Sequence, residues 1–408
     1  MLRPKRHIKL WHKFIANYTY LKVSPRRLVI KVFKSGWFLI TWPFELLGDI
    51  FIWPRPIKHI TDHPRILMVK VDQLGDLLFS TFLLPIIKEA YPASSIDYLI
   101  HPRGQAILDH NPAIRRIYYW QDLLLQNIPG RQKIRPGKRL WQFLVAGYAN
   151  LRSWLALRHE HYDIVINARA FWPSCNWPWR GLGHYLIAFD ISQASYIANY
   201  LADYDLRAEE WENYLHLLEP LSIKEETLKQ HEPRGQFFNF VPAPQKPAAP
   251  YWCLSPVSFD PERTWSPSRW LSFIQIFLAN FPDDSLVITG LADQQDWLAT
   301  ITQSLNNHNR VITVTNLSVP QLADLLKDSQ GLISLDSFNV HLAIALKKPV
   351  FCLVNSRLFY VPRLSTNYLV DGRCMIPLLP EVIINDLLTT TPEQLNRQIS
   401  SYCGLARV

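Results

Sequence analysis

The sequence is poor in the residues that mark several common architectures. Fourteen glycines in 408 residues exclude a collagen-like or low-complexity chain. Five cysteines (Cys175, Cys253, Cys352, Cys374, Cys403) stand far apart with no C-x-x-C pair. That pattern argues against a disulfide framework or a cysteine zinc site, and fits reduced, buried thiols. No apolar run reaches the about 20 residues of a spanning helix. The most apolar stretch, GWFLITWPFELLGDIFIW over residues 36–53, is interrupted by Pro43, Glu45 and Asp49. It also lacks the clean apolar run and small-residue cleavage site of a secretory signal. The patterns G-x-S-x-G, H-E-x-x-H and G-x-x-x-x-G-K-[ST] are absent. What is present is 48% apolar residues, which excludes a disordered chain, and a length suited to two or three domains with cores of their own.

The net charge of +9 is unevenly distributed. Residues 1–65 carry 13 Lys/Arg against Glu45, Asp49 and Asp62, a balance of +10, and the remaining 343 residues sum to −1. The body is neutral and the basicity belongs to an amphipathic N-terminal extension. Ten Lys/Arg precede Glu45, and Trp37, Trp42, Phe44, Phe51 and Trp53 follow or adjoin them. Cations for anionic headgroups beside aromatics for the headgroup boundary predict an interfacial segment; the alternative is a basic tail with a helix packed on the protein's own surface. From Leu123 to His159 there are seven Lys/Arg and no acid, with Trp141-Gln-Phe-Leu-Val-Ala-Gly-Tyr and Trp154 alongside. Two such segments predict one side that faces an anionic membrane. No nucleic-acid-binding signature accompanies the charge, so no nucleic-acid partner is expected.

Past the extension, strand and helix patterns alternate. Ile66-Leu-Met-Val-Lys-Val reads as a buried strand, Asp76 to Tyr91 as a helix, and Ile96 to Ile100, Arg116 to Trp120 and Tyr162 to Asn167 as further strands. Residues 231–250 hold five prolines in twenty and read as a break. Beyond it the alternation restarts: strands at 251–255, 286–289, 311–315, 332–335 and 350–354, helices at 267–281, 293–305, 319–327 and 339–347, and a last helix at 392–402. The expected organisation is an extension (1–65), an α/β lobe (66–235), a proline-rich linker (236–250) and a second α/β lobe (251–408), with a cleft between two mostly parallel sheets.

Three segments are suited to chemistry. In the turn after the first strand, Asp72, Gln73, Gly75 and Asp76 face the cleft; Asp76 reads either as a helix N-cap or as a general base. In Ser334-Leu-Asp-Ser-Phe-Asn-Val-His, a strand passes through a short turn into a helix whose free N–H groups suit a diphosphate. Asp336 and Ser337 stand at that helix start, and His341 reads either as a ligand contact or as a packed histidine. In Arg263-Thr-Trp-Ser-Pro-Ser-Arg-Trp, Arg263 and Arg269 are suited to clamp phosphate, while Trp265 either stacks on a ligand or packs. Asp203-Tyr-Asp205 matches a metal-binding D-x-D pattern, but with no third ligand apparent no metal site is assigned.

Together these segments resemble glycosyltransferase family 9, the heptosyltransferases of the lipopolysaccharide inner core. The first turn reads ILMVKVDQLGDLLFSTFLLPIIKEAYP, followed by IDYLIHPRGQAILDHNPAIRRIYYW; the family's K-x-W-P-x-x-R-[FW] element is similar to Arg263–Trp270, and its D-[ST]-G-x-x-H-L-x-A-A-L loop to DSFNVHLAIAL. The resemblance runs from about Ile66 to Val354, with the motifs in the family's order. It implies a GT-B fold of two Rossmann-like lobes, acceptor on 66–235 and nucleotide sugar on 251–408. It implies Asp76 as catalytic base and Arg263, Asp336, Ser337 and His341 as donor-binding residues; Trp265 joins them as a donor-binding candidate from its own segment, and Asp72, Gln73 and Gly75 as candidates for the acceptor cleft. Two positions depart from the pattern: Arg263 stands for lysine, and Phe338 for the loop glycine. The expected activity is an inverting, metal-independent transfer of heptose or a related sugar from ADP-heptose or a similar donor, with no cofactor. The expected acceptor is a lipid-linked envelope glycan such as lipopolysaccharide core, reached by a cytoplasmic protein peripheral on the inner membrane face. The rival readings are a catalytically weak membrane-bound scaffold of the same fold, which Phe338 motivates, and a nucleotide-sugar epimerase.

Overall fold

Ile66, Leu67, Met68 and Val69 have no polar side chain among them, and in the computed structural model of the chain all four are buried in a strand covered on both faces. The structure describes residues 43–44, 46–48, 51–52, 56–121, 136–169, 176–192, 194–205, 208, 210–248, 250–257, 264–305, 308–335, 337–353 and 368–370. The strand β1 (Arg65–Lys70) lies between β2 (Ser95–Ile100) and β4 (Tyr162–Asn167). With β3 (Arg116–Tyr119), β5 (Gly183–Phe189) and β6 (Tyr200–Ala202) they form an all-parallel sheet of order β3-β2-β1-β4-β5-β6. The second lobe contains β7 (Tyr251–Ser255), β8 (Ser285–Gly290), β9 (Val311–Thr315), β10 (Gly331–Leu335), β11 (Val350–Leu353) and β12 (Tyr368–Val370). Its order, β12-β11-β10-β7-β8-β9, is the same sequence of crossovers read from the other edge. Each lobe therefore reverses strand order beside its first strand, and at such a reversal a crevice opens beyond the carboxyl ends. This is the two-lobed α/β architecture that the resemblance implies.

The helix expected over Asp76–Tyr91 is two helices, α1 (Leu74–Ser80) and α2 (Leu83–Ala90). The break has a physical cause at Thr81. Its hydroxyl donates back to the Leu78 carbonyl at 2.7 Å and accepts from the Gln236 backbone at 2.6 Å, so the second half of the chain docks where the helix pauses. The N-cap of α1 is Gln73, which corrects the N-cap reading of Asp76; Asp76 lies inside the first helical turn. The remaining helices used below are α3 (Gln105–Leu108), α4 (Pro136–Arg158), α5 (Glu210–His216), α6 (Glu225–Gln230), α7 (Pro267–Asn280), α8 (Gln295–Thr302), α9 (Val319–Asp328) and α10 (Phe338–Ala345). In α7, Trp270, Phe273, Ile274 and Phe277 recur at helical spacing and are all buried on the second sheet.

One hydrophobic core passes through both lobes, from Ile66, Leu77 and Leu78 to Val340, Leu342 and Ala343. Across the lobe boundary α1 packs on α10, and α3 on α9. The proline-rich segment follows this seam in extended form. Gly235 lies against the Leu78 carbonyl, 2.4 Å from where a Cβ would stand, a place open only to glycine. Asn239 donates to the Ala106 carbonyl at 3.2 Å, and the Ala243 backbone donates to Asp324 on α9 at 2.8 Å. The linker thus fastens α3 of one lobe and α9 of the other. Of the cysteines, Cys253 and Cys352 are buried free thiols, and burial pushes Cys253 up to about 12, so it stays protonated. The other three, the expected helix at 392–402, and nearly all of residues 1–55 lie outside the described residues.

Candidate active site

In the first lobe, Lys70 closes an otherwise apolar strand and is only 2% exposed. Burying an ammonium is costly unless it is fully engaged. Its Nζ donates to Asp72 at 3.0 Å, to the Ala168 carbonyl at 2.9 Å and to the Tyr214 hydroxyl. Ala168 follows β4, so Lys70 joins the carboxyl ends of the two strands that flank the reversal. Arg169, the next residue, stands 3.9 Å from the other Asp72 oxygen. Tyr214 arrives from α5 and is fully buried among Phe79, Phe82 and Phe189. Burial, and then the carboxylates of Glu210, Asp76 and Asp72, push its phenol well above the ordinary value, so it remains a neutral hydroxyl. Asp76 belongs to this group and is half-buried on the cleft-side turn of α1.

In the second lobe the described side chains at the equivalent place are neutral ones. Asn339, in the first turn of α10, donates to the Ser255 hydroxyl at the end of β7 at 2.7 Å, and Ser255 pairs with Thr289 of β8 at 2.7 Å. Ser337 is the N-cap residue of α10; its side chain makes no capping hydrogen bond and its Oγ lies 3.3 Å from Ser334 Oγ. The start of α10 is therefore tied to the carboxyl ends of β7 and β10, with the first N–H groups of the helix at the reversal.

The two turns meet. A Cβ on Gly75 would stand 2.6 Å from Cδ2 and 2.9 Å from Nε2 of His341, so the glycine is what lets the histidine ring approach the first-lobe turn. His341 is half-buried against the opposite lobe, so neither alternative read from the sequence describes it fully. Phe338 packs partly buried against the lobe-spanning core. Trp265 is engaged by its own lobe: its ring lies 4.7 Å from that of Trp270, and the Arg269 guanidinium sits 4.2 Å above it. Burial lowers the Arg269 pKa, and its Nη2 is buried with no hydrogen-bond partner among the described residues. Gln73 is exposed at the rim, and Arg263 and Asp336 lie outside the described residues. Asp203 and Asp205 flank Tyr204, and the Asp205 backbone is taken by Asn213 on α5. No group of three His, Cys, Asp or Glu side chains suited to a metal occurs among the described residues.

The sequence reading missed Lys70, Arg169, Tyr214, Ser255, Thr289 and Asn339. For Lys70 a signal was present, a lone charge at the end of an apolar strand. Tyr214 carried none, because only the fold brings α5 to β1.

The family model described as glycosyltransferase family 9 (heptosyltransferase) matches residues 150–356. That span takes in the second-lobe turn and begins after Asp76. Among solved structures, the chain is similar to the glycosyl transferase family 9 protein of Veillonella parvula, with TM-score 0.60 and 16% identity over 80% of this chain and 97% of that one. It is similar to the E. coli heptosyltransferase WaaC solved with ADP-2-deoxy-2-fluoro heptose, with TM-score 0.62 and 16% identity over 79% and 99% of the two chains. A third similar structure is E. coli ADP-heptose lps heptosyltransferase II, with TM-score 0.60 and 16% identity over 82% and 99%. At such identity the likeness is one of fold. No curated protein matches the sequence.

Proposed function

The chain belongs to glycosyltransferase family 9, and from that premise we propose that it moves a heptose or related sugar from ADP-heptose or a similar nucleotide sugar to a lipid-linked envelope glycan such as lipopolysaccharide core. The observation that carries the proposal is the contact of Gly75 with His341, which sets the proposed base and the proposed donor turn on either side of one crevice.

In the proposed reaction the acceptor hydroxyl lies beside Asp76, which takes its proton as the oxygen attacks the anomeric carbon. The carbon–oxygen bond to the nucleotide breaks on the opposite face, so the configuration inverts. The departing diphosphate meets the N–H groups at Ser337 to His341 and the cations Arg263 and Arg269, which stabilise the charge it gains. Proton, sugar and leaving group balance with no metal or cofactor. Lys70 keeps Asp72 and the β4 end in register, and Asp72, Gln73 and Gly75 shape the acceptor side. Asp336 and Ser337 border the diphosphate, and Trp265 holds Arg269 in place.

The acceptor places the work at a membrane. The proposed location is peripheral, on the inner face of the cytoplasmic membrane, with the basic extension on anionic lipid. Among the described residues no helix is long and apolar enough to cross a bilayer.

The test is thermal unfolding of the purified protein against a panel of nucleotides and nucleotide sugars. ADP-heptose or a close relative is expected to raise the melting temperature, by mass action on the folded state. Indifference to every nucleotide sugar would contradict the proposal and favour the scaffold.

A further inference from the structure

Helix α4 is turned inside out for a surface helix. Its buried contacts come from a face that includes Ala146, Asn150 and Leu157. Asn150 accepts from the Gln121 backbone at 2.7 Å and donates to its carbonyl at 2.8 Å, and Trp154 Nε1 donates to the Pro178 carbonyl at 2.7 Å. The opposite face is apolar and exposed: Trp141 (67%), Leu144, Val145, Tyr148 (64%), Leu151 and Leu155. At about 100° per residue these six fall within an arc of about 120°, over a length of about 21 Å. A surface helix ordinarily hides such a stripe and shows its polar side.

The same flank carries more of this surface. Trp177, beside Pro178, is exposed and packs edge-on against Tyr196 with centroids 6.0 Å apart. Gly48 also lies against that tyrosine, 2.4 Å from its ring at the Cβ position, and brings the exposed Phe44, Leu47 and Phe51 of the extension alongside. Its charge identifies the occupant. Seven Lys/Arg and no acid lie between residues 123 and 159. Arg152 is exposed within the stripe, and Arg158 lies 5.2 Å from the Trp154 ring at its edge. A second copy docked symmetrically would bring the like charges of Arg152 and Arg158 on the two copies together. An anionic bilayer offers hydrocarbon to the stripe and phosphate to its borders.

We propose that α4 is an interfacial helix lying in the headgroup layer of an anionic membrane, with Trp141, Leu144, Tyr148, Leu151 and Leu155 inserted and Arg152 and Arg158 on lipid phosphates. The proposal rests on the membrane-linked acceptor for its purpose and deepens that reading. The helix, together with the extension, sets the first lobe's surface on the bilayer that carries the acceptor.

The test is flotation of the full chain with phosphatidylcholine vesicles made with and without phosphatidylglycerol. The variant combines Leu144→Ser, Tyr148→Ser and Leu151→Ser, all exposed positions, with its melting temperature as the folding control. The unaltered protein is expected to float with anionic vesicles and to be released by salt. The triple variant is expected to bind them at least about tenfold more weakly, and Arg152→Glu to weaken binding at low salt. Unchanged flotation of the triple variant would overturn the proposal, as would equal binding to vesicles without phosphatidylglycerol. So would loss of self-association in the triple variant with flotation intact, which would assign the stripe to a second copy. Thermal shifts with nucleotide sugars are read separately, so failure of the donor reading and failure of the docking surface are distinguishable.

Discussion

The two lobes share one strand order and use it for different chemistry. At the first reversal, Lys70, Asp72, Arg169 and Asp76 gather charge around the neutral Tyr214 hydroxyl. At the second, Ser255, Thr289 and Asn339 form an uncharged chain that holds a helix start in place. The first arrangement is suited to holding and moving a proton, the second to fixing the N–H groups of a helix start where an anion can meet them. Topology provides two equivalent crevices, and in the proposed reaction a few side chains make one the acceptor half and the other the donor half.

Substitutions on each side should separate these roles. The largest effect is expected from Asp76→Asn, which keeps shape and removes basicity: turnover should fall by about 1,000-fold with the melting temperature preserved. Gly75→Ala should follow, because the added Cβ strikes the His341 ring and pushes the two turns apart. A displacement near 1 Å at reacting groups costs about 100-fold in kcat, and an unchanged kcat would mean that the turns need not meet.

Stability should divide along the same line. Lys70→Met leaves Asp72 without its buried partner and should cost about 3 kcal/mol in denaturant unfolding. Ser255→Ala removes only neutral hydrogen bonds and should cost about 1 kcal/mol. Equal losses would erase the contrast between the crevices.

The smallest effect lies at the other end of the first sheet, away from the proposed chemistry. There Asp97 accepts from Arg115 and from Tyr162 at 2.6 Å, and Glu160 accepts from Arg115, Arg116 and Tyr118 at 2.6, 2.8 and 2.9 Å. The Arg115 hydrogen bond, chiefly, lowers the Glu160 carboxyl from 4.5 to about 2. A depressed carboxyl stabilises the fold above 4.5, and that contribution is lost as pH falls from 4.5 through 2. Glu160→Gln should flatten the fall of the melting temperature across this window, and an equally steep fall would assign acid sensitivity elsewhere.

Much of the fold was legible because its strands are short apolar runs. Every strand expected in the second lobe formed, from Tyr251–Ser255 to Val350–Leu353, with ends shifted by one residue at most. β5, β6 and β12 were missed: β5 opens Gly-His-Tyr, and β6 and β12 have only three residues each, too short for any period to register. The break at Thr81 was invisible because its cause is a hydrogen bond to Gln236, 155 residues later. In the candidate site, Asp72, Gly75, Asp76, Ser337 and His341 were proposed from local turn chemistry and the family resemblance, and the structure sets Gly75 against His341 across the lobe boundary. Tyr214 and Asn339 act through partners distant in sequence, and no local pattern marks them. The outward stripe of α4 was foreshadowed by its charge and aromatics, but which face it would show depended on Asn150 and Trp154 finding partners outside the helix.

The division of labour between the lobes is tested most directly by calorimetric titration of an ADP-sugar donor into two variants, Asp76→Asn and Asn339→Ala. The proposal puts Asp76 on the acceptor side, so its variant should bind donor with unchanged Kd. Asn339 anchors the start of α10, the proposed donor helix, to Ser255, so its loss should weaken binding by about tenfold. Weaker donor binding in Asp76→Asn with normal binding in Asn339→Ala would reverse the assignment of the lobes and contradict the account.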